Sequence, residues 1–270
     1  MTPGRGSLAG AARPPHNALS MLPLSASAEP LRRHAPAIGG LSAVVPVHDE
    51  EAAIAGVVQA LLHELPRVAA RFELIVVDDG STDRTAAVLD ELRRSVPCLR
   101  VVRHSGNRGY GAALRSGFAV ARHAWVLVMD GDGQIDPRQL GDVVAALDGH
   151  DGVVGYRARR ADAWPRRLNT AAWNGLVRWL FALETRDLNC AFKLLPTGLV
   201  QDQALVSEGA VISAEILVRA ARAGYRLAEV PIVHRPRRAG RASGARPGVV
   251  ARAGLELLRL HRRTRREKRA

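Results

Sequence analysis

The sequence is short of lysine, cysteine, aromatic residues and long apolar runs, and each shortage excludes something. Lys193 and Lys268 are the only lysines among 39 basic residues, so the formal charge of +13 is carried almost wholly by arginine. Cys98 and Cys190 are the only cysteines. They give neither a disulfide framework nor a metal-ligand spacing, so a reducing, cytosolic setting is expected. Aromatics make up 4% and no base-stacking motif accompanies them, which leaves no basis for specific nucleic-acid binding. No stretch of about 18 apolar residues occurs, so nothing reads as a bilayer span.

What is present is ordinary globular composition with an unusual charge: 47% hydrophobic residues, 24% charged residues and a pI near 11.2 over 270 residues. That length suits one sizeable core. The charge reflects either arginine-rich coding or an attraction to phosphates and anionic lipid. Residues 1–37, rich in Ala, Pro, Ser and Arg, read as a disordered leader. The apolar part of Ala18–Ala28 is short and broken by Pro23, which argues against a signal peptide. The expected organisation is a leader (1–37), one catalytic domain (38–248) and a basic amphipathic helix with its tail (249–270).

From Leu41 a strand–helix rhythm begins. LSAVVPV (41–47), FELIVV (72–77), Leu99–Arg103 and WVLVM (125–129) read as buried strands. Helical spacing runs over 51–64, 83–95 (with Ser81 and Thr82 as caps) and 109–122. Further helices are predicted at 167–182, at 211–223 and from about Val249, and a strand at Leu227–Val230. No internal repeat interrupts the pattern. Strands alternating with helices imply an α/β fold: a mostly parallel sheet with helices on both faces. Ligands in such sheets sit beyond the carboxyl ends of the strands. The polar motifs HDEE, DDGSTD, SGNRGYG and DGDGQ each follow a strand, so they line one rim.

Asp130-Gly131-Asp132 is the sharpest of these. Residues i and i+2 of an extended segment point the same way, so both carboxylates can meet one hard cation, Mg²⁺ or Mn²⁺. Such a cation neutralises a departing diphosphate. An acidic turn is the competing reading, since Asp and Gly are common turn residues. Asp78 and Asp79 are expected to hydrogen-bond a base or ribose, with a helix cap as the plainer alternative. In SGNRGYG, Gly109 either lets the backbone approach the nucleotide or only shapes the loop; Gly131 is placed at the nucleotide on the same ground. The segment has neither a Walker ending nor a Rossmann glycine phase. After Gly155, Arg157, Arg166, Arg167, Arg235, Arg237, Arg238 and Arg241 suit phosphate clamping, although any single arginine in so basic a chain reads equally as solvated surface charge. His48, His104, His234 and Tyr110 read as structural.

Together, VVPVHDEE, ELIVVDDGSTDRT, RHSGNRGYGAALRSGF and VLVMDGDGQIDP resemble the family 2 glycosyltransferases of GT-A fold. They are most similar to the dolichyl-phosphate mannosyltransferase branch, which includes bacterial polyprenyl-phosphate glycosyltransferases. VVGYR, RRLNT and EVPIVHRPRRAG extend the resemblance, which covers about Leu41 to Ser243. It implies that Pro46, His48 and Glu50, with Asp79, contact the nucleotide. It places Asp130, Asp132 and Gln134 on the metal, and Arg157, Arg166, Thr170 and Arg237 or Arg238 on the acceptor phosphate. His48 stands where the family usually has Tyr. The loop that usually reads R-x-x-G-x-S-K has Ser243 one position late and Gly244 in place of Lys.

The first expectation is therefore an inverting transferase that moves a hexose from a nucleotide-diphosphate sugar, of GDP-mannose or UDP-glucose type, to a polyprenyl phosphate. A phosphate monoester is mostly a dianion at neutral pH, so it needs arginines more than a base. A hydroxyl acceptor would need a general base; Asp187 in TRDLNCAFK is the candidate and Glu215 the weaker one. A non-catalytic nucleotide-sugar or anionic-surface binding protein is the third reading. The C-terminal helix, with Leu257 and Leu258 on one face and RRTRREKRA after it, suits peripheral attachment to the inner face of a membrane; a solvated terminus explains it as well.

Overall fold

Strand β1 (Leu41–Val47) is buried along its whole length and lies in the middle of a seven-stranded sheet. A continuous apolar run of this kind requires cover on both faces. The computed structural model describes residues 38–159, 164–236 and 247–267. The expected leader and Arg237, Arg238, Arg241 and Ser243 fall outside those residues. β1 pairs in parallel with β2 (Phe72–Asp78) and with β4 (Trp125–Val128), and β3 (Leu99–Arg103) flanks β2. The order is β3-β2-β1-β4-β6-β5-β7, with β5 (Gly152–Arg159), β6 (Lys193–Pro196) and β7 (Leu227–Val233). β6 is antiparallel to both β4 and β5, whereas β5 and β7 are parallel. The carboxyl ends of β1 to β5 and β7 therefore share one rim with the start of β6.

Helices cover both faces, as expected. On one side α1 (Ile54–Val68) and α4 (Leu140–Ala145) bury Ile54, Leu61, Leu140 and Val143 against Val45, Val76 and Leu127. On the other, α3 (Tyr110–Val120) and α7 (Val211–Arg222) pack Leu114, Phe118 and Ile216 on Val44, Ile75 and Val128. A third cluster joins α5 (Trp164–Phe181), α7 and α8 (Pro247–Glu267) through Val177, Leu217, Leu257 and Leu260. α8 is thus anchored by packing rather than projecting as a tail. α2 (Thr85–Ser95) and the short α6 (Thr197–Gln201) complete the set.

Several expectations shift. α1 starts at Ile54 rather than 51 and continues through Pro66 to Val68. Ser81 and Thr82 do not cap α2; it begins at Thr85, and the Asp83 carboxylate accepts from the Thr85 amide at 2.9 Å. Arg157 lies inside β5 rather than beyond a strand ending at Gly155, just before a register shift against β7. β6 and α6 escape sequence reading because KLLP and TGLVQ are too short to show a period.

Beneath the sheet, Glu73 is buried and accepts from the Ser42 hydroxyl (2.8 Å), the Arg122 amide (2.7 Å) and Arg100 (3.2 Å). Burial pushes its carboxyl up, but these donors outweigh burial and hold it below the ordinary value. A depressed carboxylate stabilises the fold above its unfolded pKa and loses that contribution as pH falls through the folded one. Glu73→Gln is therefore expected to lower the urea midpoint at neutral pH by an amount equivalent to about 1–3 kcal/mol. The gap to the wild type should narrow as the pH drops below about 4.

Candidate active site

The loops after β1 and β2 are stitched together by backbone amides and short polar side chains. Asp49 adopts a left-handed backbone (φ 55°), and its carboxylate accepts from the Thr82 amide at 2.7 Å. That bond leads the effects holding its carboxyl below the ordinary value. In return, the Asp49 amide donates to Ser81 (3.1 Å) and the Glu50 amide to Thr85 (2.8 Å). The Glu51 carboxylate receives the Arg84 amide at 2.8 Å. HDEE and GSTDRT thus form one interlocked surface, with His48 part-exposed on it, its Nδ1 3.0 Å from the Asp79 carbonyl.

Asp78 and Asp79 turn inward, where backbone amides and neighbouring side chains engage them. Asp78 is 1% exposed; it accepts from the Ser81 amide (2.9 Å) and from Arg103 (3.2 Å). Asp79 is 4% exposed. It accepts from the amides of Arg108 (2.9 Å) and Gly109 (2.8 Å) and lies 2.6 Å from His104 Nδ1. The far nitrogen of His104 meets Ser116 at 2.8 Å. These acids set the shape of the glycine-rich loop. Gly109 has φ 99°, and a Cβ there would come within 2.6 Å of the Glu208 carbonyl. Gly131 is buried against β1, where a Cβ would lie 2.3 Å from Val47 Cγ1. Pro46 is buried within β1 beside it. Pro46 and Gly131 accordingly form the floor of the rim.

Asp130 leaves β4 half-buried, and Asp132 follows in the turn. Burial and the neighbouring Asp132 charge push the Asp130 carboxyl up to about 6, although the Tyr110 hydroxyl donates to it and Lys193 and Arg157 pull the other way. Tyr110, read as structural, thus faces the acidic pair, and burial beside Asp130 keeps it a phenol. Sequence reading also passed over Lys193, which is 2% exposed at the start of β6 and paired in register with Val128 and Val154. Its ammonium donates to the carbonyls of Leu188 (3.3 Å) and Cys190, and burial lowers its pKa. A lone lysine inside the apolar run AFKLLP, in a chain otherwise built with arginine, was the available signal.

Arg157 and Asp187 form a two-pronged pair, with Nε to Oδ2 at 2.7 Å and Nη2 to Oδ1 at 2.9 Å. Asp187, the candidate base, is 2% exposed and also accepts from the amides of Arg157 and Asn189. The weaker candidate, Glu215, is fully buried on α7, where it accepts from the Val206 and Ser207 amides and from Arg219. Both carboxylates are thus buried and already engaged as hydrogen-bond acceptors.

The side-chain amide of Gln134 donates to the Arg235 carbonyl at 2.9 Å, while its backbone amide donates to Asp132 Oδ1 at 3.0 Å. Ile135 bridges His234, and Arg235 pairs with Asp136 at 2.8 Å. The arginine-rich segment after β7 therefore departs directly from the Asp130–Asp132 turn. Arg166 and Thr170 lie in the first turns of α5, but their side chains, like all of Arg237 and Arg238, lie outside the described residues.

Among the described residues no cluster of three metal-ligating acids, histidines or cysteines exists. Two carboxylates at a rim still fit Mg²⁺ or Mn²⁺, which take one or two protein carboxylates and complete their shell with water and substrate phosphate. The mutual repulsion that raises Asp130 is what a cation between the two acids would relieve.

Residues 42–207 match the sequence profile of Glycosyl transferase family 2. The chain belongs to that family. It is 31% identical over 172 residues to a dodecaprenyl-phosphate galacturonate synthase of Rhizobium johnstonii, covering 62% of this chain and 51% of the relative. It is 29% identical over 203 residues to an undecaprenyl-phosphate 4-deoxy-4-formamido-L-arabinose transferase of Edwardsiella ictaluri, covering 74% and 61%. The chain thus spans between half and two thirds of the length of these two relatives. A glucosyl-3-phosphoglycerate synthase of Mycobacterium tuberculosis, solved with UDP, has the same fold: TM-score 0.62 at 20% identity, covering 83% of this chain and 80% of the other.

Within this family 2 site, the raised Asp130 carboxyl makes a signed prediction. A carboxyl raised above its unfolded value costs the fold stability once pH exceeds the unfolded pKa, and the cost is complete above the folded value of about 6. In EDTA, Asp130→Asn is expected to melt above the wild type at about pH 7.5 and level with it near pH 4. Differential scanning calorimetry at both pH values checks this.

Proposed function

We propose that the chain transfers a hexose from a nucleotide-diphosphate sugar to a polyprenyl phosphate at a membrane surface. The observation that carries this reading is the juxtaposition at one rim of the Asp130–Asp132 pair with the Arg157–Asp187 pair. The first pair suits a divalent cation and a diphosphate, and the arginine of the second suits a phosphate. The names of the two relatives support a polyprenyl-phosphate acceptor.

The division of labour follows from the chain's own groups. Asp130 and Asp132 would hold Mg²⁺ or Mn²⁺, and the bound ion would offset the charge on the departing diphosphate. A glucosyl-3-phosphoglycerate synthase of the same fold has been solved with Mn²⁺ and UDP-glucose. The interlocked loops after β1 and β2, with His48 and Glu50 on them, and the loop ending at Gly109 would receive the nucleotide. Arg157, oriented by Asp187, would present its guanidinium to the acceptor phosphate, joined by Arg166 and Thr170 at the start of α5. Arg237 or Arg238 would close from the loop after β7. The acceptor dianion attacks the anomeric carbon from the face opposite the departing diphosphate, so the configuration inverts and no side chain has to remove a proton.

A lipid acceptor implies work at a bilayer. No helix among the described residues is long and apolar enough to cross one. Exposed Leu176 and Trp179 on α5, and Leu255 and Leu258 on the arginine-rich α8, suit peripheral attachment to an anionic surface.

The test is transfer of labelled sugar from a panel of nucleotide sugars to polyprenyl phosphate with Mn²⁺. Organic-phase product that disappears with EDTA, and that falls about a hundredfold or more in Asp130→Ala and Asp132→Ala, is expected. Absence of product with every donor, from folded protein, overturns the reading. Asp187→Asn separates it from transfer to a hydroxyl. With a phosphate acceptor, loosening Arg157 raises the acceptor KM about tenfold while kcat at saturation holds. Loss of kcat at saturating acceptor would instead assign Asp187 as a base and favour the hydroxyl reading.

A further inference from the structure

Away from the rim, the ends of α5, α7 and α8 line a half-open cleft of about 1030 Å³ that the transfer reaction does not use. Its floor is apolar, built from Trp179, Leu180 and Phe181 at the end of α5 and Val218 on α7. Trp179 is 79% exposed at its edge, although indole is usually buried or set at an interface. Its mouth is cationic: Arg219, Arg222 and Arg265 line it, with Glu267 as the one carboxylate among the described lining residues.

Glu267 shows what the mouth accepts. Its carboxylate lies 3.8 Å from Arg219 and 3.6 Å from Arg222, close enough for charge attraction and too long for hydrogen bonds. Its closer partner is Arg263, at 3.0 Å. Arg219 is already committed to Glu215 and to the Ala204 carbonyl, so Arg222 and Arg265 are the cations most open to an outside anion. A planar guanidinium prefers a phosphate or carboxylate at hydrogen-bond distance over one held beyond it. Apolar floor and cationic mouth together select a molecule with an anionic head and an apolar chain. Neither inorganic phosphate nor a neutral lipid satisfies both halves.

We propose that this cleft binds one anionic lipid phosphate, with its head displacing Glu267 from Arg222 and its chain lying along Trp179, Leu180 and Phe181. The site is distinct from the acceptor site. α5 carries Arg166 and Thr170 in its first turns and this floor at its far end, so Trp179 lies about 20 Å along the helix from Arg166 and about 14 Å from Thr170. The proposal is therefore independent of the glycosyl-transfer reading, and its test involves no turnover.

The probe is a lysophosphatidate with a brominated acyl chain, added below its micelle concentration while tryptophan fluorescence is followed. Saturable quenching is expected that is lost in Trp179→Phe. Bromo-lysophosphatidylcholine should quench at least about tenfold less well, because its head carries no net charge. Inorganic phosphate at millimolar concentration should not compete. Arg222→Glu reverses the mouth and Ala221→Phe fills an exposed lining position without adding a second indole, so each should weaken binding about tenfold. Glu267→Gln removes the internal competitor and should tighten binding about fivefold, the equivalent of roughly 1 kcal/mol. Quenching that survives Trp179→Phe, equal quenching by the zwitterionic lipid, or a Glu267→Gln variant that binds no tighter would each overturn the proposal. Circular dichroism of each variant separates lost binding from lost fold.

Discussion

Asp79 closes β2 with both carboxylate oxygens committed, one to His104 and the Arg108 amide, the other to the Gly109 amide. An almost fully buried carboxylate survives only where donors replace its water. Here those donors are the backbone of the loop that must be shaped. Without this anchor the glycine-rich segment would have no fixed path from β3 into α3, and Tyr110, the first residue of α3, would not be aimed at Asp130. The path of the glycine-rich loop and the aim of the phenol at the acidic pair therefore rest on one buried carboxylate.

The rim sorts its acids into two populations by environment. Asp49, Asp78 and Asp79 are surrounded by amide donors and serve as mortar between loops. Asp130 and Asp132 face each other, with a phenol, a buried ammonium and a guanidinium nearby, and the repulsion between them is only partly compensated. The first population builds structure, whereas the second retains a mutual repulsion. Arg157 and Asp187 form a third arrangement, a pair in which each partner orients the other and neither is left to act alone.

The distinction explains how much could be read in advance. The parallel half of the sheet, its helices and the location of the polar loops follow from apolar periodicity and from turn residues at strand ends, which are local properties. Asp78-Asp79-Gly80 and Asp130-Gly131-Asp132 look alike by the same local measures, since both follow a buried strand and contain a glycine. What separates them is the partner each meets across the fold. Asp79 meets amides from a loop some thirty residues later. Asp130 meets Lys193, which arrives on the antiparallel strand β6. That strand has four residues and no period of its own, so neither it nor the role of Lys193 was legible. The engagement of Asp187 by Arg157 was hidden for the same reason: the spacing between them is set by tertiary structure.

The loop that backs Gly109 has a second attachment. The Glu208 carbonyl receives the amides of Gly111 (2.7 Å) and Ala112 (3.2 Å) at the start of α3. On its other side, the Glu208 carboxylate takes Arg252, and the neighbouring Gly209 amide takes Glu256, both from α8. Two adjacent residues thus join the helix bearing exposed leucines and arginines to the turn that opens α3. A linkage this short transmits displacement like a stiff rod, so a force that tilts α8 is delivered to the turn that opens α3.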